Sequence, residues 1–385
     1  DHRRQRQMCI RDSSIYIHIP FCRKACHYCN YHFSTSIKSK DLIVDSIVSE
    51  ISLRSNELND DVGSIYFGGG TPSILTETDL QKILNEIHKK FKISNHAEIT
   101  IECNPDDVSL EKIEVWKKNS FNRVSLGIQS FIDSDLVLMN RSHNSKTAID
   151  SIEKIKNNFT NFSIDLIYGI PESSIDAWKK NIKIGLYYDV PHISTYVLTV
   201  EPKTALKKLI EKNKIKEVED RDQKLQFEYA YDLFLKLGYY NYEFSSFSKP
   251  GYECKNNLTY WNRKKYIGFG PSAHSFDGSS RTWNVSNNQK YIEKIKENIL
   301  PNESEVLSQI DVLNEVIMIG LRTSDGIDLD FIKSEFSDLN LDSLSKQIDL
   351  KIKEGVLIKT NNKLHTSKEY KFLTDGVASD LFVTN

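Results

Sequence analysis

Three cysteines stand close together near the start of the chain. Cys22, Cys26 and Cys29 form a C-x₃-C-x₂-C pattern directly after an alternating apolar run at residues 15–19. Such a run predicts a β-strand, so the cysteines fall on the loop at its carboxyl end, where open α/β folds bind ligands. Three thiolates can hold three irons of a cubane iron–sulfur cluster, which normally takes four, and this would leave one iron open to a further ligand.

The same spacing also fits a structural zinc site. His18, His27 or His32 could supply the fourth ligand, and spacing alone does not separate this hypothesis from the cluster. A disulfide is disfavoured, because an odd number of neighbouring cysteines cannot pair fully and nothing in the sequence indicates export.

Six strand-like segments recur along the first half of the chain and would position these residues. They alternate with amphipathic helical patterns and lie at residues 15–19, 64–67, 98–102, 123–128, 162–168 and 192–199. Successive βα units predict a parallel sheet with right-handed crossovers. Six units are too few for a closed eight-stranded barrel, so we expect an α/β fold with an open, partial barrel whose strand ends meet at one edge.

Polar and glycine-rich motifs follow the predicted strands. Gly68–Gly70 begin a GGGTP motif after the second strand, and consecutive glycines allow a ligand to approach the backbone closely. Glu102 and Gln129 end the third and fourth strands, and Arg141 comes shortly afterwards. Asp165 lies inside an apolar strand, where a carboxylate is costly unless it is paired, which makes it a candidate site residue.

The segment YIHIPFCRKACHYC at residues 16–29 resembles the signature of radical S-adenosylmethionine (SAM) proteins. It is most similar to the branch that holds oxygen-independent coproporphyrinogen III oxidases and HemW-type heme chaperones, and the resemblance extends from about residue 15 to the C-terminus. It implies a partial (β/α)₆ barrel, a [4Fe-4S] cluster on the three cysteines, and SAM on the fourth iron. It also implies that SAM is contacted by Tyr16, Tyr28, Gly69, Gly70, Thr71, Glu102, Gln129, Arg141, Asp165 and Val197.

Position 256 departs from the pattern of the heme chaperones. These proteins usually read His-Asn-x-x-Tyr-Trp, and the histidine is a suspected heme contact, whereas this chain has Asn256 followed by Asn257. Asparagine is not a useful ligand for heme iron, while histidine and cysteine are. His274 and Cys254 are therefore the substitutes to test.

Position 31 bears on the choice between the two branches. The oxidases usually carry a fourth cysteine two residues after the third, where this chain has Tyr31, and they have a longer segment before the cluster motif. We therefore expect a heme chaperone that binds a [4Fe-4S] cluster, SAM and heme, takes electrons from a reductant and passes heme to an acceptor protein. A coproporphyrinogen III oxidase, or a radical SAM enzyme acting on another substrate, remains the alternative.

The expected domain organisation has four parts. Residues 1–12, which include Cys9, match nothing in the family and form an extension; residues 13–200 form the radical SAM core. Residues 201–304 form an α+β extension over the barrel, which is rich in aromatic residues and glycine and either completes the open edge of the barrel or covers a large flat ligand. Residues 305–385 form a winged-helix-like module, in which a partner-docking role is favoured over DNA binding.

Composition excludes several classes of protein. The formal net charge is −2 and no basic stripe is present, so we do not expect nucleic-acid binding. No apolar run approaches the roughly 18 residues of a membrane helix, so any membrane association should be peripheral. Reduced thiols and the lack of an export signal predict a cytoplasmic protein, and Cys103 should be a small buried residue rather than a ligand.

Overall fold

The computed structural model describes residues 12–384, so all of the predicted extension except Asp12, and with it Cys9, lies outside the described residues. The first half of the chain alternates strands and helices as the sequence predicts. Its strands are β1 Ser13–Ile19, β2 Val62–Gly69, β3 Ile93–Cys103, β4 Arg123–Gln129, β5 Phe162–Tyr168 and β6 His192–Val197. Its helices are α1 Lys40–Leu53, α2 Glu77–Lys90, α3 Leu110–Lys118, α4 Asp133–Leu138, α5 Ser145–Lys156 and α6 Ile175–Tyr187.

Strands β1 to β6 lie side by side in sequence order and are all parallel. Each strand is joined to the next through helices, which pack on the sheet. The apolar faces of the sheet and of these helices are therefore buried, as a parallel sheet requires. Helix α2 illustrates the local logic. Thr76 and Asp79 cap its first turn reciprocally, and the apolar stripe that begins at Leu80 and Ile83 is fully buried against the sheet.

The segment after residue 200 adds strands to both edges of this core. It contains α7 Ala205–Glu211, α8 Asp220–Lys236, β7 Tyr240–Glu243, β8 Ser246–Ser248, α9 Lys255–Trp261, β9 Tyr266–Phe269, β10 His274–Phe276, β11 Ser280–Asn284, α10 Asn288–Lys296 and β12 Asn302–Val306. The resulting 12-stranded sheet has the order β12-β11-β10-β9-β1-β2-β3-β4-β5-β6-β8-β7. The extension therefore completes the edges of the open barrel. The domain boundaries stay a prediction, because the sheet runs continuously across residue 200.

A buried carboxylate on α1 connects the core to the added strands. Glu50 is fully buried and accepts hydrogen bonds from Arg54 Nη1 at 3.0 Å, the Gly270 amide at 2.8 Å, Asn284 Nδ2 at 2.7 Å and the Tyr291 hydroxyl at 2.6 Å. Four donors replace the water that the charge loses on burial. This network joins α1 to the loop after β9, to β11 and to α10.

The C-terminal module has an apolar core of its own. It comprises α11 Gln309–Arg322, β13 Ile327–Asp328, α12 Leu329–Glu335, α13 Asp342–Lys353, β14 Leu357–Thr360, β15 Lys363–Thr366 and α14 Thr374–Asp380. A small sheet of order β13-β15-β14 packs on helices through Leu313, Ile317 and Leu364, which are fully buried. Helices followed by a β14–β15 hairpin match the predicted winged-helix-like arrangement. Within residues 12–384, no helix is both long and apolar enough to cross a membrane.

Candidate functional site

The predicted site residues meet in one cavity at the carboxyl edge of the parallel strands. The cavity has a volume of about 470 Å³. Its lining contains every residue that the sequence assigns to the cluster or to SAM: Cys22, Cys26, Cys29, Tyr16, Tyr28, Gly69, Gly70, Thr71, Glu102, Gln129, Arg141, Asp165 and Val197. These residues come from all six core strands or from the segments that follow them. The structure thus brings the whole predicted set together, and the roles of the individual residues remain predictions.

The cysteine loop is held at its base. The Cys22 amide donates to the Ser34 carbonyl at 3.0 Å, and the Ser34 amide donates to the Pro20 carbonyl at 2.8 Å. The loop from Cys22 to Ser34 therefore begins and ends beside the carboxyl end of β1.

The far side of the cysteine loop is held by the segment after α4. The His27 amide donates to the Met139 carbonyl at 3.1 Å, the His27 ring Nδ1 lies 2.8 Å from the Leu138 carbonyl oxygen, and Asn140 Nδ2 donates to the Ala25 carbonyl at 2.7 Å. These contacts place the three thiols at the cavity wall.

The three thiols line the cavity, and two of them have raised pKa values. Among residues 12–384, no three His, Cys, Asp or Glu side chains form a group that could hold a single metal ion. Burial raises the pKa of Cys22 to about 11 and also raises the pKa of Cys29. Holding these sulfurs as thiolates therefore requires a compensating positive charge, which bound iron would supply.

The histidines of the zinc hypothesis are engaged elsewhere. His18 Nδ1 lies 3.3 Å from the Tyr16 hydroxyl and His18 Nε2 lies 3.1 Å from the His32 carbonyl oxygen. His27 contacts Leu138 as described, and His32 Nε2 lies 2.7 Å from Asn288 Oδ1. Both ring nitrogens of His18 are therefore engaged, which disfavours His18 as a zinc ligand. The contacts of His27 and His32 engage one ring nitrogen each.

Arg141 connects the cysteine loop to two strand ends. Its Nη1 donates to Cys26 Sγ at 3.2 Å, and its Nη2 donates to Asn104 Oδ1 at 2.6 Å and to the Gly127 carbonyl at 2.8 Å. Its Nε is buried and has no partner among the described residues. Burial alone would lower the pKa of Arg141, but the neighbouring Tyr28 and Cys26 raise it. This buried N–H is available to an acceptor on a bound ligand or water.

Two carboxyl groups face the same cavity. Burial raises the pKa of Glu102 to about 7, although a hydrogen bond from the Tyr66 hydroxyl at 2.7 Å acts to lower it. Burial likewise raises the pKa of Asp165 to about 6, although a hydrogen bond with Ser194 acts to lower it. Both carboxyls would gain from a positively charged or hydroxyl-bearing ligand. This is the chemistry that SAM offers through its sulfonium, amino and ribose groups.

The backbone of the site is shaped by close approach and by strain. A Cβ on Gly70 would lie 2.5 Å from the Phe21 carbonyl oxygen and 2.8 Å from that of Ile19, so only glycine fits beside the cysteine loop. Gln129, at the end of β4, has a positive φ of 66°. This left-handed conformation is uncommon for a residue with a side chain, and such strain concentrates at functional sites.

Sequence reasoning missed Asn104, which lines the cavity, and Tyr66, which contacts Glu102. Asn104 bridges Arg141 and the Thr71 hydroxyl, to which its Nδ2 donates at 3.2 Å, and Tyr66 holds Glu102. Asn104 follows Glu102 in a motif that the sequence did expose, whereas nothing in β2 distinguishes Tyr66 from an ordinary strand residue. Tyr31, at the position of the oxidase cysteine, is 71% exposed and lies at the rim.

The three positions considered for heme differ sharply in exposure. Asn256 is 2% exposed and its Oδ1 has no partner among the described residues. Cys254 is 1% exposed, and burial raises its pKa to about 12. His274 is exposed, and its ring stacks on Trp283 with the centroids 6.2 Å apart.

Comparison with known proteins places the chain in a family. The radical SAM superfamily model matches residues 16–183, and the HemN C-terminal domain model matches residues 307–369. A heme chaperone HemW of Bacillus subtilis is 33% identical over 94% of this chain and 95% of that protein. The chain belongs to the HemW family of radical SAM proteins. A HemW of Buchnera aphidicola from Acyrthosiphon pisum is likewise 33% identical, over 93% of this chain and 95% of that protein.

The fold of this chain agrees with a solved structure. The radical SAM coproporphyrinogen III oxidase (HemN) of Escherichia coli has a TM-score of 0.81 to this chain, covers 97% of it and 90% of its own length, and is 21% identical. At this identity the likeness shows the fold alone. Membership of the radical SAM superfamily implies a [4Fe-4S] cluster and SAM, and the thiols, buried guanidinium and carboxyls of the cavity fit both groups.

Proposed function

We propose that this protein is a heme chaperone that holds a [4Fe-4S] cluster and SAM, binds heme and transfers it to an acceptor protein. The observation that carries this proposal is the cavity in which the three cysteines and every predicted SAM residue meet. The naming of relatives as heme chaperones over more than nine tenths of the chain supports the heme part.

Each part of the cavity has a proposed task. Cys22, Cys26 and Cys29 bind three irons of the cluster as thiolates, and Arg141 donates to one of their sulfurs. Such hydrogen bonds orient ligands and tune the potential of a metal site. In this superfamily the reduced cluster, when bound, supplies the electron that cleaves SAM to methionine and a 5′-deoxyadenosyl radical.

The remaining lining residues bind and orient SAM. The backbone of Gly69 and Gly70 and the side chain of Thr71 would bind its amino group, and Asp165 would accept from its ribose hydroxyls. Glu102 and Gln129 contribute charge and hydrogen bonds beside them, and Tyr16, Tyr28 and Val197 enclose the ligand. Burial disfavours the ionised forms of Glu102 and Asp165 when no ligand is bound. A cationic ligand would stabilise both carboxylates and would itself bind more tightly.

We further propose that the protein acts in a reducing compartment such as the cytoplasm. Cys22, Cys26, Cys29, Cys103 and Cys254 are all free thiols in the described residues. Disulfides are rare where thiols are kept reduced. Electrons for the cluster then come from a separate reductant.

The proposed function is tested by heme binding and heme transfer. The anaerobically reconstituted full chain is loaded with one equivalent of ferric heme, freed of excess heme and mixed with an apo-form of a heme protein as acceptor. We expect a stoichiometric heme complex and transfer faster than from a matched amount of heme on serum albumin. A chain with its cluster intact that binds no heme would overturn the proposal.

An oxidase activity is the second candidate, and position 31 disfavours it. Tyr31 stands where the oxidases usually carry a fourth cysteine, so this chain has no thiol at that position. The test is incubation of the cluster-loaded protein with SAM, a strong reductant and coproporphyrinogen III, with mass spectrometry of the products. We expect no protoporphyrinogen above a cluster-free control, and product above that control would favour the oxidase.

A further inference from the structure

We propose that His274 is the ligand for heme iron and that the porphyrin lies over a groove between the β11–β12 edge of the sheet and helix α10. This inference rests on the proposed heme-binding function and names its site. The groove lies on the added strands and is distinct from the cluster cavity.

The first observation is the pairing of His274 with Trp283. The two residues are direct partners across β10 and β11, so their side chains leave the same face of the sheet. Their rings stack with an interplanar angle of 29°. His274 is exposed, and neither of its ring nitrogens hydrogen-bonds another residue of the described chain. An imidazole that coordinates heme stands edge-on to the porphyrin, so a ring stacked on its face supports it and leaves its nitrogens free.

The second observation is the groove that begins at Trp283. It has a volume of about 580 Å³, and its apolar walls are Trp283, Val285, Ile299, Leu300 and Pro301. Ile299 is 49% exposed although it belongs to this apolar surface. Ligand sites of this size are predominantly apolar with a few placed polar groups, and a porphyrin offers a large flat apolar face.

The third observation is the charge at the rim of the groove. Lys290 and Lys294 project from α10 into the lining. Lys294 pairs with Glu297 at 2.9 Å on the surface, and such exposed pairs are weak and readily exchanged. Glu293 and Glu303 also line the groove, and Glu293 accepts a hydrogen bond from Gln289 at 2.8 Å. Two lysines on one helix face suit the two propionates of heme.

The groove is connected to the cysteine loop. His32, just after the third cysteine, contacts Asn288 at the start of α10, and the rings of His32 and His18 on β1 have their centroids 6.4 Å apart. A ligand in the groove would therefore rest on elements that also carry the cluster loop.

The alternative positions do not offer a ligand to a porphyrin. Asn256 and Cys254 are enclosed by neighbouring side chains, and Cys254 Sγ lies 3.6 Å from Glu98 Oε1. Reaching either residue would require α9 to leave the sheet. His274 needs no such rearrangement.

The test compares ferric heme with iron-free protoporphyrin IX, each titrated into the cluster-loaded full chain. For His274→Ala we expect heme affinity to fall at least about tenfold, equivalent to about 1.4 kcal/mol, with loss of the imidazole-ligated signature in magnetic circular dichroism. Affinity for the iron-free porphyrin should stay within about twofold. For the double variant Lys290→Glu/Lys294→Glu we expect both porphyrins to bind at least about tenfold more weakly.

Matched controls separate the site from general effects. His96→Ala removes an exposed histidine on β3, and Lys117→Glu/Lys118→Glu reverses two lysines on α3; neither should change heme binding. Cluster absorbance and unfolding temperature report the fold of each variant. If the wild-type chain binds heme and His274→Ala binds it with the same affinity and spectrum, this inference fails while the proposed function stands. If Lys117→Glu/Lys118→Glu weakens binding as much as the groove variant does, the groove is not the site. A wild-type chain that binds no heme defeats both.

Discussion

Arg141 donates a hydrogen bond to the sulfur of Cys26 at 3.2 Å although the two residues are 115 positions apart in the sequence. The same guanidinium group reaches the ends of β3 and β4 through Asn104 and Gly127. A single side chain thus joins a predicted cluster ligand to the strands that carry the predicted SAM residues. Changes at Arg141 should affect both the cluster and SAM.

Replacing Arg141 by lysine keeps the charge and removes the planar fork of donors. We expect the cluster to assemble, its reduction potential to become more negative because a sulfur loses a hydrogen bond, and SAM to bind about tenfold more weakly. An electron paramagnetic resonance redox titration measures the potential. Arg23→Lys is the control, because Arg23 pairs with Asp107 and is 55% exposed. An unchanged potential in Arg141→Lys would show that the contact has no electronic effect.

Replacing Cys26 by alanine should abolish the absorbance of the [4Fe-4S] cluster, because two thiolates cannot hold the cubane where three are needed. Cys103→Ala should retain that absorbance, since Cys103 is 3% exposed and packs in the apolar core. Iron and sulfide analysis of anaerobically purified protein checks both variants. A cluster retained in Cys26→Ala would refute the assignment of this residue as a ligand.

Glu102 predicts a pH dependence of stability in the absence of SAM. Its pKa is raised from 4.5 to about 7 in the folded chain, so between these pH values the folded state binds more protons than the unfolded state. The free energy of unfolding therefore falls as pH rises through this window. Glu102→Gln should reduce the fall and leave the part that comes from Asp165, whose pKa is also raised. It should stabilise the SAM-free protein by about 3 kcal/mol at pH 8 and weaken SAM binding.

Chemical denaturation between pH 5 and pH 8, roughly the window of the shifted carboxyl, measures this effect. Glu114→Gln is the control, since the Glu114 side chain is 71% exposed, and its pH profile should match that of the wild type. A Glu102→Gln profile that still falls with rising pH by the wild-type amount would assign the effect to other groups.

Gly70→Ala should damage the cysteine loop. The added methyl group would press on two backbone carbonyls at the end of β1, and backbone cannot move aside as a flexible side chain can, so we expect a loss of about 1–3 kcal/mol together with a lower cluster content. Gly376→Ala on α14, where no atom lies within 4 Å of an added Cβ, is the matched control. Equal thermal unfolding and iron content in the two variants would contradict the expectation.

Glu50→Ala should destabilise the whole sheet. It removes one of the two carboxylates that pair with the buried Arg54 and leaves three further donors without this acceptor, and breaking a buried pair in this way typically costs about 3–5 kcal/mol. Glu57→Ala removes the second carboxylate that pairs with Arg54. The Glu57 side chain is 45% exposed, so we expect the free energy of unfolding to fall by about 1 kcal/mol or less. Denaturant unfolding of both variants distinguishes the two contributions, and similar losses would show that Glu50 has no special structural role.

The sequence predicted those parts of the fold that depend on local pattern. The alternation of strands and helices in the first half follows from periodicity, and the carboxyl-edge position of Glu102 and Gln129 follows from parallel topology. The pairing of β8 with β6 and of β9 with β1 could not be predicted in this way. Such contacts join distant segments, and short strands carry too little pattern to identify their neighbours.

The sequence also could not show how individual side chains are oriented. His18 was a candidate zinc ligand by spacing, yet both of its ring nitrogens are held by Tyr16 and His32. Tyr66 reaches Glu102 because both residues point to the same face of neighbouring strands, a relationship that depends on strand register. Exposure separated His274 from Asn256 and Cys254, and exposure is set by tertiary packing.

The backbone hydrogen bonds that hold the cysteine loop at His27 have a consequence for the order of folding. The carbonyl of His27 accepts from the Leu206 amide at 2.8 Å, and its amide donates to Met139. The conformation of this short loop therefore depends on residues more than a hundred positions later in the sequence. Contacts of such long range form late, so a chain emerging from the ribosome would present its cysteines before their final arrangement exists. We expect iron and sulfide to be accepted by the completed fold, after synthesis has passed residue 206.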